Sequence, residues 1–425
     1  MKKITLAVIG AGCRGMHAYA PYLLENPHLG KVVAIAEPNE QKRNLFKEMY
    51  KIEENNIFKD WQSLLENDKI ADAIIIANND EDHFNPTKIA LEKGYNVLLE
   101  KPMSNKLDEV IELGNLAKIH SDKVFMVCHV LRYTPFFTEL KRIIDSKELG
   151  ELVNISHHEN IGYWHFAHSY TRGNWRDSNT TSPLILAKSC HDMDLLLWLT
   201  GKNCLNIASF GSLSHMREEN FIKEAMSDKC INCNIESKCP YSAKKIYLED
   251  NKLVASLNAV CMNPTKENLE KSIIDGPYGR CIYKCDNNVV DHMVNILEFE
   301  DNITATFNLS AFTKECTRTT KLMFTHGEIG ANHMKNIIDV YKFGDNSHKI
   351  IYPKVQKSGH GGGDYGIIKD FISMLQNNNG DYKTSALKSV DSHIMAFAAE
   401  YARVNKVVVN MNEFKNTCFK SNDVR

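Results

Sequence analysis

The sequence carries almost no excess charge of either sign: 51 Lys and Arg stand against 53 Asp and Glu, a formal net charge of -2. That balance leaves no global basic field for nucleic acid or an anionic membrane to recognise, so neither is expected as a partner. Long apolar runs are also missing, and none approaches the roughly 20 residues needed to span a bilayer. The apolar opening Ile4 to Ile9 imitates a signal peptide but is short and breaks into Gly10-Ala11-Gly12 without a cleavage site. It reads as a first strand, and a cytoplasmic protein is expected. The 12 cysteines are too thinly spread over 425 residues for the framework of a small secreted domain, and several, such as Cys128 and Cys190, stand singly in apolar segments. Reduced thiols are the default. A chain of this length buries a large core and is expected to divide into two domains.

What is present begins with a strand, a glycine turn and a helix. Ile4 to Ile9 feeds Gly10-Ala11-Gly12-Cys13-Arg14-Gly15, and Met16 to Leu24 is predicted helical. The first glycine permits the tight turn, the second lets the backbone approach a pyrophosphate, and the third lets the helix pack closely. Gly10, Gly12, Cys13, Arg14 and Gly15 are therefore candidate cofactor contacts. Val32 to Ala36 supplies the second strand and ends at Glu37, about 20 residues past the glycines, where an acid accepts the ribose hydroxyls of NAD. The same charge repels a 2′-phosphate, which favours NAD over NADP.

Alternation continues through a helix at Gln41 to Lys51, a strand at Ala73 to Ala77, a helix at Pro86 to Lys93 and a buried strand at Asn96 to Glu100. The pattern predicts an α/β fold with a doubly wound parallel sheet. In such sheets ligands bind beyond the carboxyl ends of the strands. Asn78, Asn79 and His83 lie past one such end, where the loop should pass beside the nicotinamide half, although turn chemistry and helix capping explain the two asparagines as well. Glu100 and Lys101 close another strand as further candidate cofactor contacts, and Lys101-Pro102 marks an active-site edge. After a helix at Leu107 to Ile119 and a strand at Val124 to Val127, a domain junction is expected: residues 1–128 as an NAD-binding Rossmann domain, 129–425 as a substrate and oligomerisation domain.

Beyond Leu152 the pattern turns alternating and aromatic. The loop from Gly162 to Arg176 is rich in His, Trp, Tyr and Arg, a composition that suits a polyhydroxylated ligand or, alternatively, a subunit interface. Arg132, Tyr163, His165, His168, Arg172 and Trp175 are candidate substrate residues, together with His360 in the glycine-rich loop Ser358 to Asp364. Ser182-Pro183 opens a predicted helix at Leu184 to Leu199, which puts Lys188 and His191 on one face. Later segments, Asn295 to Phe299, Ile303 to Leu309 and Lys321 to Phe324, read as strands of a mixed or antiparallel sheet. The helix near Ala386 to Val404 reads as packing.

Oxidising a secondary alcohol needs a base for the hydroxyl proton and a nicotinamide facing the carbinol hydrogen. Histidine titrates near neutrality, so His191 suits the base. Lys101 can donate to the developing alkoxide, or exchange roles with His191 if burial depresses its pKa.

The glycine turn, Glu37, Glu100-Lys101-Pro102 and the run His191-Asp192-Met193-Asp194 followed by Leu-Leu-Trp-Leu-Thr-Gly together resemble the Gfo/Idh/MocA oxidoreductases. The resemblance implies an N-terminal Rossmann domain, a C-terminal α/β domain built on an open, largely antiparallel sheet, and a homo-oligomer, dimer or tetramer. It also implies Lys101 and His191 as the catalytic pair and a carbohydrate as substrate. Many members carry an aspartate one helical turn before that histidine. Here the position is Ala187, with Lys188 next to it as a further candidate catalytic residue. The expected activity is NAD-dependent hydride transfer at a sugar, sugar derivative or glycoside. The family also includes a branch that cleaves glycosides by transient oxidation and the yeast galactose repressor, so redox-assisted cleavage and a catalytically silent sensor stand as alternatives.

A cysteine-rich insert at about 226–290 holds Cys230, Cys233 and Cys239, with Cys261, Cys281 and Cys285 downstream. The spacing suggests a structural zinc site, or an iron-sulfur cluster, on Cys230, Cys233 and Cys239 with one distant cysteine, Cys285 being the candidate although the spacing does not decide the fourth ligand; free thiols in a Lys-rich surface excursion are the alternative.

Overall fold

The computed structural model describes residues 2–250, 257–344, 347–356, 358–377 and 382–422. Residues 251–256 of the cysteine-rich insert lie outside them. Six short runs, each dense in aliphatic side chains, pair in parallel: β1 (Ile4–Ile9), β2 (Gly30–Ala36), β3 (Ile57–Phe58), β4 (Ala73–Ile76), β5 (Asn96–Leu99) and β6 (Phe125–Val127), in the order β3-β2-β1-β4-β5-β6. The order reverses beside β1, which opens a crevice at the carboxyl ends of β1 and β4. Covering helices bury both faces, and polar caps set where they start: Asn39 accepts from the Lys42 amide to open the helix Glu40–Tyr50. One layer comes from the far end of the chain. Ile367, Ile368, Phe371 and Ile372 of the helix Gly363–Asn377 share a core with Leu6 and Val8 of β1.

The second sheet has nine strands: β7 (Leu152–Asn160), β8 (Cys204–Ser212), β9 (His292–Phe299), β10 (Thr304–Ser310), β11 (Thr317–Phe324), β12 (Gly327–Asn332), β13 (Ile337–Lys342), β14 (His348–Ile351) and β15 (Val409–Asn410). They lie in the order β14-β13-β12-β11-β7-β10-β9-β8-β15, with β7 and β10 parallel and all other pairs antiparallel. The α/β class with a doubly wound sheet and a second, largely antiparallel one is therefore as expected. The inner face packs on helices that include Cys190–Thr200 and Ala386–Asn405.

Two expected helices are broken. The segment after the glycine turn is a π-helical turn, Cys13–Tyr19, followed by a separate helix Pro21–Glu25, because Pro21 has no amide to continue the ladder. The helix expected at Leu184 to Leu199 is split into Leu184–Ala187 and Cys190–Thr200, with Ser189 at φ -108°, ψ 12°. Lys188 sits in the break, so it and His191 do not share a continuous helix face.

Candidate active site

The site assembles at the carboxyl edge of the parallel sheet. Gly10 ends β1 at φ +92°, and a Cβ there would meet the Ala77 carbonyl oxygen at 2.6 Å, so the fold requires glycine. A Cβ on Gly15 would collide with the Gly10 carbonyl oxygen, whereas one on Gly12 would meet nothing within 4 Å. The open space above Gly12 is what a pyrophosphate needs. At the end of β2 the buried Glu37 carboxylate accepts from the Ala11 amide at 2.7 Å and the Asn39 amide at 2.9 Å. The nearby Arg43 guanidinium reaches the Glu37 and Pro38 carbonyl oxygens at 2.6 and 3.1 Å.

Arg14 and Glu100 bind each other. Arg14 Nε donates to Glu100 Oε1 at 2.6 Å, Nη2 donates to Asp364 at 2.8 Å and to the Tyr19 hydroxyl, and Glu100 Oε2 accepts from the Lys101 amide at 2.8 Å. Burial alone would raise the Glu100 carboxyl, but Arg14 and then Lys101 outweigh it and hold it below the usual range. These two expected cofactor residues thus tie the glycine turn to β5 and to the helix Gly363–Asn377. Cys13 is exposed on the same turn. In the loop after β4, His83 Nδ1 lies 2.6 Å from the Pro102 carbonyl oxygen and Asn78 Nδ2 donates to Asp82 at 3.0 Å, while Asn78 Oδ1 is buried without a partner among the described residues. Asn79 immediately precedes the turn Asp80–Asp82.

Lys101 follows β5 and its Nζ donates to the Ala187 carbonyl oxygen at 2.8 Å, so the backbone of Ala187 occupies the lysine. His191 begins the next helix, buried, with no partner for Nδ1 among the described residues. Burial pushes the His191 pKa well below its ordinary value, and the charges of Lys101 and the neighbouring His129 and His360 push the same way. Its imidazole is held in the neutral form at neutral pH. Lys188 pairs with the buried Glu159 at 3.2 Å, within a network in which Arg318 bridges Glu159 (2.9 Å) and Asp192 (2.6 Å) and His157 meets Asp192 at 2.9 Å. Burial works against the Lys188 charge, but Glu159 more than offsets it and the pKa lies above the ordinary value.

Of the expected substrate residues, three reach this place. His165 is pushed well down in pKa by burial and then by Lys188, His168 and Lys101. The His360 ring lies 5.9 Å from that of His191, with Nδ1 3.0 Å from Asp364. Trp175 donates its indole N–H to Asp80 at 3.2 Å. The other four are engaged elsewhere. Arg132 forms a two-pronged pair with buried Asp194 at 2.7 and 2.6 Å, and Arg172 donates to the Arg280 and Tyr241 carbonyl oxygens at 2.8 and 2.7 Å. His168 stacks on Tyr278, with ring centroids 5.1 Å apart. Tyr163 lines a separate cavity of about 570 Å³ shared with Pro240, Lys245 and Glu249. Each found a partner in the second domain or its insert instead of facing Lys101.

Sequence reasoning missed two residues. His129, just past β6, is fully buried with neither ring nitrogen bonded among the described residues; its ring is 5.9 Å from His191 and 5.3 Å from His393. Asp80, just past β4, is buried and also accepts from Ser182 at 3.2 Å; burial raises its pKa, opposed by His83 and Lys101. The rule that picked out Lys101, position at a strand's carboxyl end, applies to both. The expected metal quartet is not drawn together: among the described residues no group of three or more His, Cys, Asp or Glu side chains is arranged to hold an ion, and Cys285 donates its thiol to the Cys281 carbonyl oxygen at 3.3 Å.

Comparison with known proteins adds an independent line. Residues 4–129 match the family model described as oxidoreductase family, NAD-binding Rossmann fold, and residues 141–348 match the C-terminal alpha/beta domain of the same GFO_IDH_MocA family. A putative oxidoreductase, YteT, of Bacillus subtilis is 22% identical over 71% of this chain and 72% of its own length. Inositol 2-dehydrogenase 2 of Saccharopolyspora erythraea is 27% identical, over 32% of this chain and 37% of its own. Among solved structures, a levoglucosan dehydrogenase in complex with NADH and levoglucosan superposes with a TM-score of 0.73 at 15% identity, covering 96% of this chain and 100% of the other. Scyllo-inositol dehydrogenase of Lactobacillus casei, with NAD(H) and scyllo-inositol bound, gives 0.66 at 17% identity over 97% and 100%.

Proposed function

The chain belongs to the Gfo/Idh/MocA oxidoreductase family, and from that premise we propose that it is an NAD-dependent dehydrogenase acting on a secondary alcohol of a sugar, sugar derivative or glycoside. The observation that carries the reading is that Lys101, held on the Ala187 carbonyl at 2.8 Å, acts electrostatically on the buried His191 at the edge of the sheet that also carries the open glycine turn.

Gly12 and its neighbours would hold the pyrophosphate and Glu37 the adenosine ribose. The Glu37 charge, with Arg43 committed to backbone carbonyls, supports NAD over NADP. When bound, nicotinamide supplies a hydride acceptor. The chain supplies the rest. Lys101 keeps one donor on Ala187 and turns its remaining N–H groups to the substrate oxygen, stabilising charge as the hydroxyl is deprotonated. Neutral His191 accepts that proton, and its suppressed basicity returns the proton readily in the reverse direction. His129 stands behind it as a second neutral imidazole. His165, Trp175 and His360 line the approach, and Lys188, held charged by Glu159, offers a donor to a ring hydroxyl or carboxylate. Phe210 and Ile296, exposed on adjacent strands of the second sheet, support self-association.

The test is the absorbance of protein purified without added cofactor and then supplied with NAD and a panel of polyols, sugars and glycosides. A stable reduced-nicotinamide band with one class is the expected result. A transient band with release of an aglycone would replace net oxidation by redox-assisted cleavage. Saturable sugar binding without any nicotinamide reduction would overturn the reading in favour of a sensor.

A further inference from the structure

Between β8 and β9 the chain makes a long excursion of turns and one helix, Lys266–Asp275, with no strand among its described residues. Such a segment buries little backbone in regular ladders and needs another source of cohesion. Its cysteines converge. An isolated antiparallel bridge pairs Lys229 with Arg280, and the Cys281 amide donates to the Asp228 carbonyl oxygen at 2.8 Å, so Cys230 and Cys281 arrive side by side from distant parts of the insert. Cys230 opens a tight turn closed by the Cys233 amide on the Cys230 carbonyl at 3.2 Å, and a second turn, Glu236–Lys238, delivers Cys239. Cys230, Cys233, Cys239 and Cys281 all line one cavity of about 20 Å³, from which Cys261 and Cys285 are absent.

A second observation points to an anionic occupant of the same space. Arg172 is 1% exposed and also lines the cavity; its Nη2 lies 3.5 Å from Cys230 Sγ, and its Nη1 has no partner among the described residues. It donates to two carbonyl oxygens and contacts this sulfur and the Tyr247 side chain, but no carboxylate pairs with it among the described residues. A buried guanidinium lacking a counter-charge is costly.

We propose that Cys230, Cys233, Cys239 and Cys281 form a tetrathiolate site for one divalent ion of the zinc class, with Arg172 as its buried counter-charge, and that the ion holds the insert together. Four thiols release four protons to solvent, and the four thiolates with one divalent cation leave a complex of net charge -2 that the guanidinium partly neutralises. The four cysteines line the cavity without forming a ready-made ligand set among the described residues, so the proposal requires their side chains to close onto the ion. The small cavity, about 20 Å³, is in keeping with a single ion. The site involves neither Lys101 nor His191, so it stands apart from the dehydrogenase reading.

The experiment uses the full chain expressed without an affinity metal, with metal content measured by mass spectrometry and cobalt(II) then exchanged in. The expected result is about one zinc per chain and a cobalt spectrum with the thiolate charge-transfer and tetrahedral ligand-field bands of four sulfurs. Cys281→Ser should weaken zinc retention at least tenfold in a chelator competition, while Cys285→Ser should leave it unchanged. The wild-type cobalt spectrum needs no variant, so a misfolded Cys281→Ser protein does not spare the proposal. Zinc-free folded protein that gives no thiolate-to-cobalt band, a visible iron-sulfur spectrum, or loss of zinc in Cys285→Ser but not in Cys281→Ser would each overturn it.

Discussion

Replacing Arg132 by Met separates two roles for this residue. Its guanidinium meets both oxygens of Asp194 at 2.7 and 2.6 Å and donates a third bond to the Lys383 carbonyl oxygen at 2.9 Å. Asp194 is 1% exposed; burial raises its pKa and Arg132 opposes that rise. Removing the cation strands a carboxylate in the core, which costs about 3–5 kcal/mol. At about 2 °C per kcal/mol for a unit of this size, the midpoint of thermal unfolding should fall by about 6–10 °C, read by circular dichroism. The loss has a pH signature. Without Arg132 the folded-state pKa of Asp194 lies further above its unfolded value, so the variant is least impaired below the ordinary carboxylate range and loses stability as pH rises toward neutrality. Arg132→Met combined with Asp194→Leu should recover most of the loss, since an apolar pair of similar volume replaces a buried ion pair at little cost. An Arg132→Met protein that melts within about 1 °C of the parent, yet shows a raised KM for the alcohol it oxidises, would refute this and return Arg132 to the substrate.

Lys101→Met should lower kcat by about 10²–10³ with little change in KM, because the lost donor acts on charge that develops during reaction; an unchanged kcat in the nicotinamide assay would remove Lys101 from the chemistry. Since burial and then Lys101 hold the His191 pKa below 6.5, the base form persists into mild acid, and the acid limb of kcat/KM should lie below that value. A limb at or above 6.5 would contradict the assignment of His191 as base. The folded-state pKa values of His393, His168 and His333 are pushed down to about 3, about 4 and about 4 by burial, against 6.5 when unfolded. The unfolded chain therefore binds more protons below pH 6.5, and stability should fall continuously from there toward pH 4, at about 1.4 kcal/mol per unit of depressed pKa. Denaturant midpoints that stay flat over that window would show that these imidazoles are not held neutral in the fold.

The parallel sheet was readable because its strands are apolar on both faces and are punctuated by glycine, proline and polar turns, signals local enough to survive without a partner. The same locality explains the failures. An arginine read from sequence announces a cation but not its partner. Arg132 found Asp194, 62 residues on, and Arg172 found Arg280 and Tyr241. The split of the helix ahead of His191 was equally hidden, because the Lys188 charge is satisfied by Glu159 on β7.

Ala187 shows what the departure from the family pattern means physically. Where the resemblance implied an aspartate, this chain offers Lys101 only a backbone carbonyl, which orients the ammonium without neutralising it. The lysine's charge then acts on its neighbours: it contributes to keeping His191 neutral and acts against the burial-driven rise of Asp80. Asp80 reaches from the Rossmann loop to Trp175 and Ser182 of the second domain, so the carboxylate missing from one side of Lys101 has a counterpart on the other. Lys101 is thus positioned by one domain and electrostatically balanced by the loop that should flank the nicotinamide, which makes its donor strength dependent on the two domains meeting. An aspartate restored at residue 187 would break that dependence by pairing the lysine within the second domain alone.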